Sequence, residues 1–298
     1  MRWESEVPLA EHVRWRIGGP AARFCRTESA DELAEVLAAG DAARILALGW
    51  GANLLVSDRG VPDAVLVLEG EFDRIRAAAD SIEAGAGAGL PSLVGEARRT
   101  GSDGWCFLEA VPGTVGGGLR MNAGSAEIGL WDRVLEVEAM TPGGATVRLT
   151  AAEALPTYRH VEIPEDWIFV RGRFQLTPGD REAVERAHFE RRRQKVSTQV
   201  YDLPSCGSVW KNPGPGIGSA WQLVDAVGMR GARSGGARIT EKHANFIANV
   251  GGARASDVLE LMRETRRRVL EQHGVALEPE IRFWGFESEE LESVGAVA

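Results

Sequence analysis

The sequence predicts a two-domain α+β protein, and three observations carry that reading. Its 298 residues are enough for two separate cores. The first third alternates short apolar runs with amphipathic and glycine-punctuated stretches, and a hairpin and a further strand follow up to residue 180. A long polar helix over residues 181–195 then interrupts the pattern, and a mixed helix and strand segment follows. The predicted boundary therefore lies at Arg181, with one domain over 1–180 and a smaller one over 181–298.

Residues 30–39 read as a helix carrying Leu33, Val36 and Leu37 on one face, and 44–48 and 64–68 as short buried strands with the glycine-punctuated turn LGWGANLLVSDRG between them. This alternation of helix and strand suggests an α/β unit. RVLEVEAMTPGGATVRLT reads as a hairpin turning at Pro142-Gly143-Gly144, and WIFVRGRFQLT as a further strand. The second domain is predicted to hold a helix over 219–227 and the apolar segment HANFIANV. A helix over 255–273 with Ser256 as its cap, the strand EIRFWG and a frayed acidic tail, ESEELESVGAVA, complete it.

Composition excludes several function classes. The 44% apolar and 26% charged content is that of a globular chain, and no apolar run is long enough to span a bilayer. MRWESEVPLAEH has no signal-peptide core, so the expected location is the cytoplasm. Cys25, Cys106 and Cys206 are too few and too scattered for a disulfide framework, and the five histidines form no HExxH pattern, so no metal is expected. A net charge of −9 opposes nucleic-acid binding but leaves room for a small anion at a local cluster. Arg191-Arg192-Arg193 with Lys195 is such a cluster, although a charge run of this kind is ordinarily a solvated helix face.

Two glycine-rich loops are the first functional signal. In VPGTVGGGLRMNAGS, Gly113 and Gly118 have Walker spacing, but Leu119 and Arg120 stand where Lys and Ser or Thr are needed for phosphate and magnesium. In SIEAGAGAGLPSLVG the third glycine falls at Gly89, one residue short of a dinucleotide fingerprint. Together with GWGANLLVS, the first loop suits a pyrophosphate held by backbone N–H groups and small polar side chains, among them Asn53, Ser57, Thr114 and Asn122. A tight turn is the plainer explanation of either loop alone.

The motifs in sequence carry a resemblance. RIGGPA, LGWGANLLVSD, VPGTVGGG, NAGS, the pair Tyr158-Arg159, LPSCGSVWKNP, EKHANFIAN and LEPEIRFWG follow one another as in UDP-N-acetylenolpyruvoylglucosamine reductases, the MurB family. The similarity covers nearly the whole chain. Trp50 stands where the family usually has glycine, Ala52 where it has serine, and Val200 where it has proline. HVEIPEDWIFV after Arg159 lacks a long insertion, as in the shorter, type II enzymes.

The resemblance implies an FAD domain of the vanillyl-alcohol oxidase type in two lobes, about 1–72 and 73–180, followed by a substrate domain. It implies non-covalent FAD, NADPH as co-substrate and UDP-N-acetylglucosamine enolpyruvate as the molecule reduced to UDP-N-acetylmuramate for the cell wall, and so a part in cell shape and division. FAD contacts are expected at Gly49, Gly51, Ala52, Asn53, Leu54, Pro112, Gly113, Thr114, Gly117, Asn122 and Gly124. Ser208 is expected as proton donor, Arg159 as clamp on the substrate carboxylate, and Glu280, protonated or sharing a proton, as stabiliser of its second oxygen. Lys211, Asn212, Gln222, Lys242, His243 and Arg282 are expected as a group to contact substrate. An FAD oxidase sharing only the first domain is the alternative, and its second half should lack GSVWKNP and LEPEIRFWG.

Overall fold

The computed structural model describes residues 2–40 and 44–296. The chain folds as two compact units. The first comprises Met1–Glu4, Arg23–Trp50 and Asp63–Lys195, and the second Ser5–Ala22, Gly51–Pro62 and Val196–Ala298.

In the first unit the strand Ile45–Ala47 pairs in parallel with residues 64–66 of Val61–Leu68. The helix Ala30–Ala38 starts at Ser29, whose hydroxyl accepts from the Glu32 N–H. Its predicted face, Leu33, Val36 and Leu37, packs into a core with Cys25, Leu66 and Phe72. A second, antiparallel sheet has the order Ile75–Ala77, Ser81–Gly85, Ile168–Gln175, Val134–Met140 and Thr146–Leu149. The predicted hairpin is its edge, closing at Gly144 in left-handed backbone (φ 79°). The helix Leu90–Arg99, with Pro91 in its first turn, covers the sheet through Leu93, Val94 and Ala97, and Trp105, Trp131 and Phe174 fill the remaining core.

The helix Arg181–Thr198 runs three residues beyond its predicted end. Its face 184, 188, 191, 195 repeats at helical spacing, and Val184 and His188 on it are buried. The sequence boundary at 181 ignored this inward face; the unit boundary falls after Lys195.

In the second unit, Leu54–Val56 pairs in parallel with Arg282–Trp284. Ser205–Ser208, Phe246–Asn249, Ala237–Ile239 and Arg233–Ser234 form an antiparallel sheet in that order. Trp15, Ile17 and Leu55 are buried in one core with Cys206, Trp210, Met262 and Ile281. This burial is why residues 5–22 and 51–62 belong with the C-terminal part, a division the sequence boundary did not anticipate.

The helix Ala255–His273 has its predicted bounds, but Ser256 is not its cap. The Asp58 carboxylate accepts from the N–H of Ala255 at 2.7 Å and of Ser256 at 3.1 Å, so an acidic residue distant in sequence closes the first turn. The acidic tail is not frayed through its described length. It forms the helix Ser288–Ser293, with Leu291 and Val294 buried. All three cysteines are free, and among the described residues no helix is long and apolar enough to cross a membrane.

Candidate active site

The first unit holds the glycine run, and the run is helical. Val115–Arg120 is a short helix capped by Thr114, whose Oγ1 accepts from the Gly117 N–H at 3.3 Å. Three glycines in six helical residues cost local stability, so tertiary bonds must hold the turn. The Val115 and Gly116 N–H groups donate to the carbonyls of Ala88 and Ala86, at 2.8 and 2.9 Å. Those two N–H groups are therefore engaged within the protein and not available as a phosphate nest.

Packing explains most of the glycines. A Cβ at Gly116 would stand 3.0 Å from that of Ala86, and one at Gly118 would stand 3.0 Å from Leu90 and 3.1 Å from Leu130. Gly113 needs its left-handed backbone, φ 126°. Gly124 abuts the Ile128 and Gly129 backbone in a tight turn. Gly117 differs: it is exposed, its backbone is helical, and a Cβ would meet only Thr114 Oγ1, at 3.5 Å.

The two loops singled out in the sequence meet in this unit. Gly49 lies against Thr114 so closely that a Cβ at Gly49 would overlap the threonine hydroxyl. Next to it, the Trp50 indole is 43% exposed and rests on Gly89, where a Cβ would come within 2.8 Å of the ring. The space at Gly49 is thus taken by the threonine hydroxyl, whereas Gly117, beside that same hydroxyl, presents backbone that a side chain would cover.

Asn122, expected at the cofactor, is engaged elsewhere. Its Oδ1 accepts from the Trp131 N–H at 3.1 Å, and its Nδ2 donates to the Thr157 carbonyl at 3.0 Å. Thr157 and His160 close a tight turn by bonding to each other, with Tyr158 and Arg159 at its tip. Arg159 is half-buried in left-handed backbone (φ 59°), with its guanidinium over the Tyr158 ring at 5.0 Å. Lys195, dismissed in the sequence as part of a solvated run, is half-buried and donates to the Phe107 carbonyl at 3.4 Å. Burial, with Arg191 and Arg159 nearby, pulls its ammonium down to about 8. The 184–188–191–195 spacing was the available signal.

The second unit holds both Ser208 and Glu280, and ties the segment after Ser208 to the one that carries Glu280. Ser208 ends the strand Ser205–Ser208, after Gly207 in left-handed backbone. The adjacent Val209 carbonyl accepts from the Glu280 N–H at 2.8 Å, and the Lys211 N–H donates to the Glu278 carbonyl at 2.9 Å. Asn245 holds the same segment, its side chain bonding both the N–H and the carbonyl of Trp210. Asn53 Nδ2 donates to the Glu280 carbonyl at 2.9 Å, and the Asn53 carbonyl accepts from the Arg282 N–H.

The remaining predicted contacts divide. Gly51 (φ 56°) packs on Val13, where a Cβ would come within 2.6 Å of its Cα, and Leu54 is buried in its strand. The Cys206 thiol, pushed by burial up to about 12, donates to the Leu54 carbonyl at 3.2 Å and is no nucleophile. Asn212 accepts from the Ala220 N–H, and Gln222 closes a capping box with Ser219, so both side chains serve the Ala220–Ala226 helix. Lys242 donates to the Val196 carbonyl and Lys211 pairs with Glu278 at 3.5 Å. His243 accepts at Nδ1 from the Asn245 N–H, between the rings of Trp221 and Phe246 at 6.2 and 4.6 Å. Arg159 belongs to the first unit, and Ser208, Glu280 and Arg282 belong to the second.

Residues 21–150 match the family described as FAD binding domain. Residues 199–284 match the C-terminal domain of UDP-N-acetylenolpyruvoylglucosamine reductase. Reductase 2 of that name from Symbiobacterium thermophilum is 41% identical over 284 residues, 93% of this chain and 91% of its own. The chain belongs to the UDP-N-acetylenolpyruvoylglucosamine reductase family. The reductase of Pelobacter propionicus agrees at 40% identity over 95% of this chain and 96% of its own. The crystal structure of the Thermus caldophilus reductase superposes with a TM-score of 0.83 at 38% identity, covering 95% of this chain and 99% of that one. The α+β flavin-domain fold expected from the sequence is therefore the fold present, and this member of the reductase family is an FAD-dependent oxidoreductase.

Proposed function

We propose that the protein reduces UDP-N-acetylglucosamine enolpyruvate to UDP-N-acetylmuramate at the expense of NADPH. This is a cytoplasmic step of peptidoglycan precursor synthesis, on which cell shape and division depend. The observation that carries the reading is the backbone bond between Val209, the neighbour of Ser208, and Glu280. The Val209 carbonyl, beside Ser208, accepts the Glu280 N–H, inside a domain matched to this reductase family.

The residues present fit FAD, since the exposed backbone at Gly117, beside the Thr114 hydroxyl that packs on Gly49, leaves room for close approach in the domain matched to FAD binding. Gly49, Thr114 and Gly117 would hold it, with Gly51, Ala52 and Leu54 following on the first loop. No His or Cys lies in either glycine loop, in keeping with non-covalent attachment. FAD, when bound, would supply the hydride-transfer chemistry that links NADPH to the enolpyruvyl substrate.

The chain's own residues manage the charge and the proton. As a hydride reaches the β-carbon, the alkene electron pair moves toward the α-carbon and its carboxylate. Arg159 offers a planar fork to that carboxylate, and Glu280 acts on its second oxygen. Ser208 gives its hydroxyl proton to the α-carbon, so one hydride and one proton add across the double bond. Lys211, Lys242 and Arg282 add positive charge toward the anionic substrate.

The test is NADPH oxidation with and without the enolpyruvyl substrate, beside the visible spectrum of the purified protein. The expected result is a yellow protein whose NADPH oxidation requires that substrate. Oxidation sustained by oxygen alone, at the same rate, would instead identify an oxidase and overturn the reading.

A further inference from the structure

We propose that Asn53 is a positioning residue for Glu280, acting on the substrate half of the reaction rather than as a ligand of the cofactor. It rests on the reading of Glu280 as a catalytic residue. Asn53 closes the turn GWGAN just before the strand Leu54–Val56, a place where its amide was expected to face a phosphate. Its side chain instead donates to the Glu280 carbonyl at 2.9 Å, and its own carbonyl accepts from the Arg282 N–H at 2.9 Å. These two bonds bracket Ile281, which is buried in the core of the second unit.

The consequence for Glu280 is geometric. Its N–H is held by the Val209 carbonyl at 2.8 Å, and its carbonyl is held by Asn53. With both backbone groups tied, the Cα–Cβ direction of Glu280 is fixed. The tie on the N–H side comes from the neighbour of Ser208. The tie on the carbonyl side comes from the Asn53 amide. Removing the amide releases one end of the residue that must meet the substrate carboxylate, and small misplacements of such groups are expensive.

Stopped-flow measurement of the two half-reactions tests this in Asn53→Ala, Asn53→Asp, Glu280→Gln and the double variant Asn53→Ala/Glu280→Gln. Asn53→Asp keeps the shape of the side chain but turns an acceptor toward an acceptor. Reoxidation of the reduced flavin by the enolpyruvyl substrate should slow by about tenfold to a hundredfold in both Asn53 variants. Reduction by NADPH and the flavin-to-protein absorbance ratio should remain those of the wild type. On the Glu280→Gln background, adding Asn53→Ala should change reoxidation by less than about twofold, because residues acting as one unit are not additive.

Loss of flavin, equal slowing of both half-reactions, or an undiminished Asn53 effect on the Glu280→Gln background would each overturn the proposal. So would failure of both Asn53 variants to fold, which would make the amide a clamp of the fold. Normal reoxidation in Glu280→Gln alone would sink the catalytic reading of Glu280, whatever the Asn53 variants do.

Discussion

The Asn122 side chain donates to the Thr157 carbonyl at 3.0 Å, two residues before Arg159. With φ at 40°, Asn122 also occupies backbone that most residues avoid. Asn122→Ala loses both side-chain bonds and keeps the backbone strain, so it should destabilise by about 1–3 kcal/mol. Asn122→Gly loses the same bonds but relieves the strain, and should unfold at higher denaturant than the alanine variant. Equal midpoints would mean that the left-handed backbone costs nothing here.

Gly117 separates folding from cofactor binding. Its helical backbone and open surroundings admit a methyl group, so Gly117→Ala should fold at least as stably, gaining up to about 1 kcal/mol of helix propensity. If FAD approaches this backbone, the same methyl should weaken flavin retention, read as FAD released on gel filtration. Full occupancy in a stable Gly117→Ala protein would remove Gly117 from the site.

Arg159→Lys should not be conservative, because an ammonium cannot offer a bidentate fork. Turnover should fall by roughly a hundredfold or more, the scale of losing one oxyanion donor. Near-normal turnover would make Arg159 a structural residue of its turn.

Ser208→Ala should leave reduction by NADPH alone and slow flavin reoxidation by substrate about a hundred- to ten-thousandfold, the usual worth of a positioned acid. Ser208→Cys should restore part of that rate. Equal effects on both half-reactions would move the proton donor elsewhere.

His243 predicts a pH dependence of stability. Burial first, and Arg230 second, push its imidazole down to about 4. The unfolded histidine titrates near 6.5, so between those values the unfolded chain binds a proton that the folded one refuses. Stability from this group is complete above about pH 6.5 and declines as pH falls toward 4, by up to about 1.4 kcal/mol per pH unit. His243→Phe should remove that decline, as judged by urea midpoints at pH 7 and pH 5. Parallel losses in both proteins would contradict it.

What the sequence disclosed was local. The helix Ala255–His273 and the hairpin at Gly144 follow from periodicity and turn residues, and both were legible. The cap on that helix was not, because Asp58 lies 197 residues from Ala255. The glycine run looks like a loop in the sequence, and glycine is a poor helix former. Bonds to Ala86 and Ala88, which no local pattern encodes, make it a helix. Asn53 and Asn122 were legible as important positions but not as tethers, since their partners, Glu280 and Thr157, are far along the chain.

The second unit is assembled from three separate stretches of chain, and its core needs Trp15, Ile17 and Leu55 beside Met262 and Ile281. During synthesis those early residues leave the ribosome long before their partners exist. At about 5–20 residues per second, the wait for the C-terminal stretch lasts on the order of ten seconds or more. For that interval the growing chain carries a buried tryptophan's worth of uncovered apolar surface, and no early release can cure it. A chain that stops short of Ile281 would therefore be a client for chaperones and proteases rather than a smaller flavoprotein.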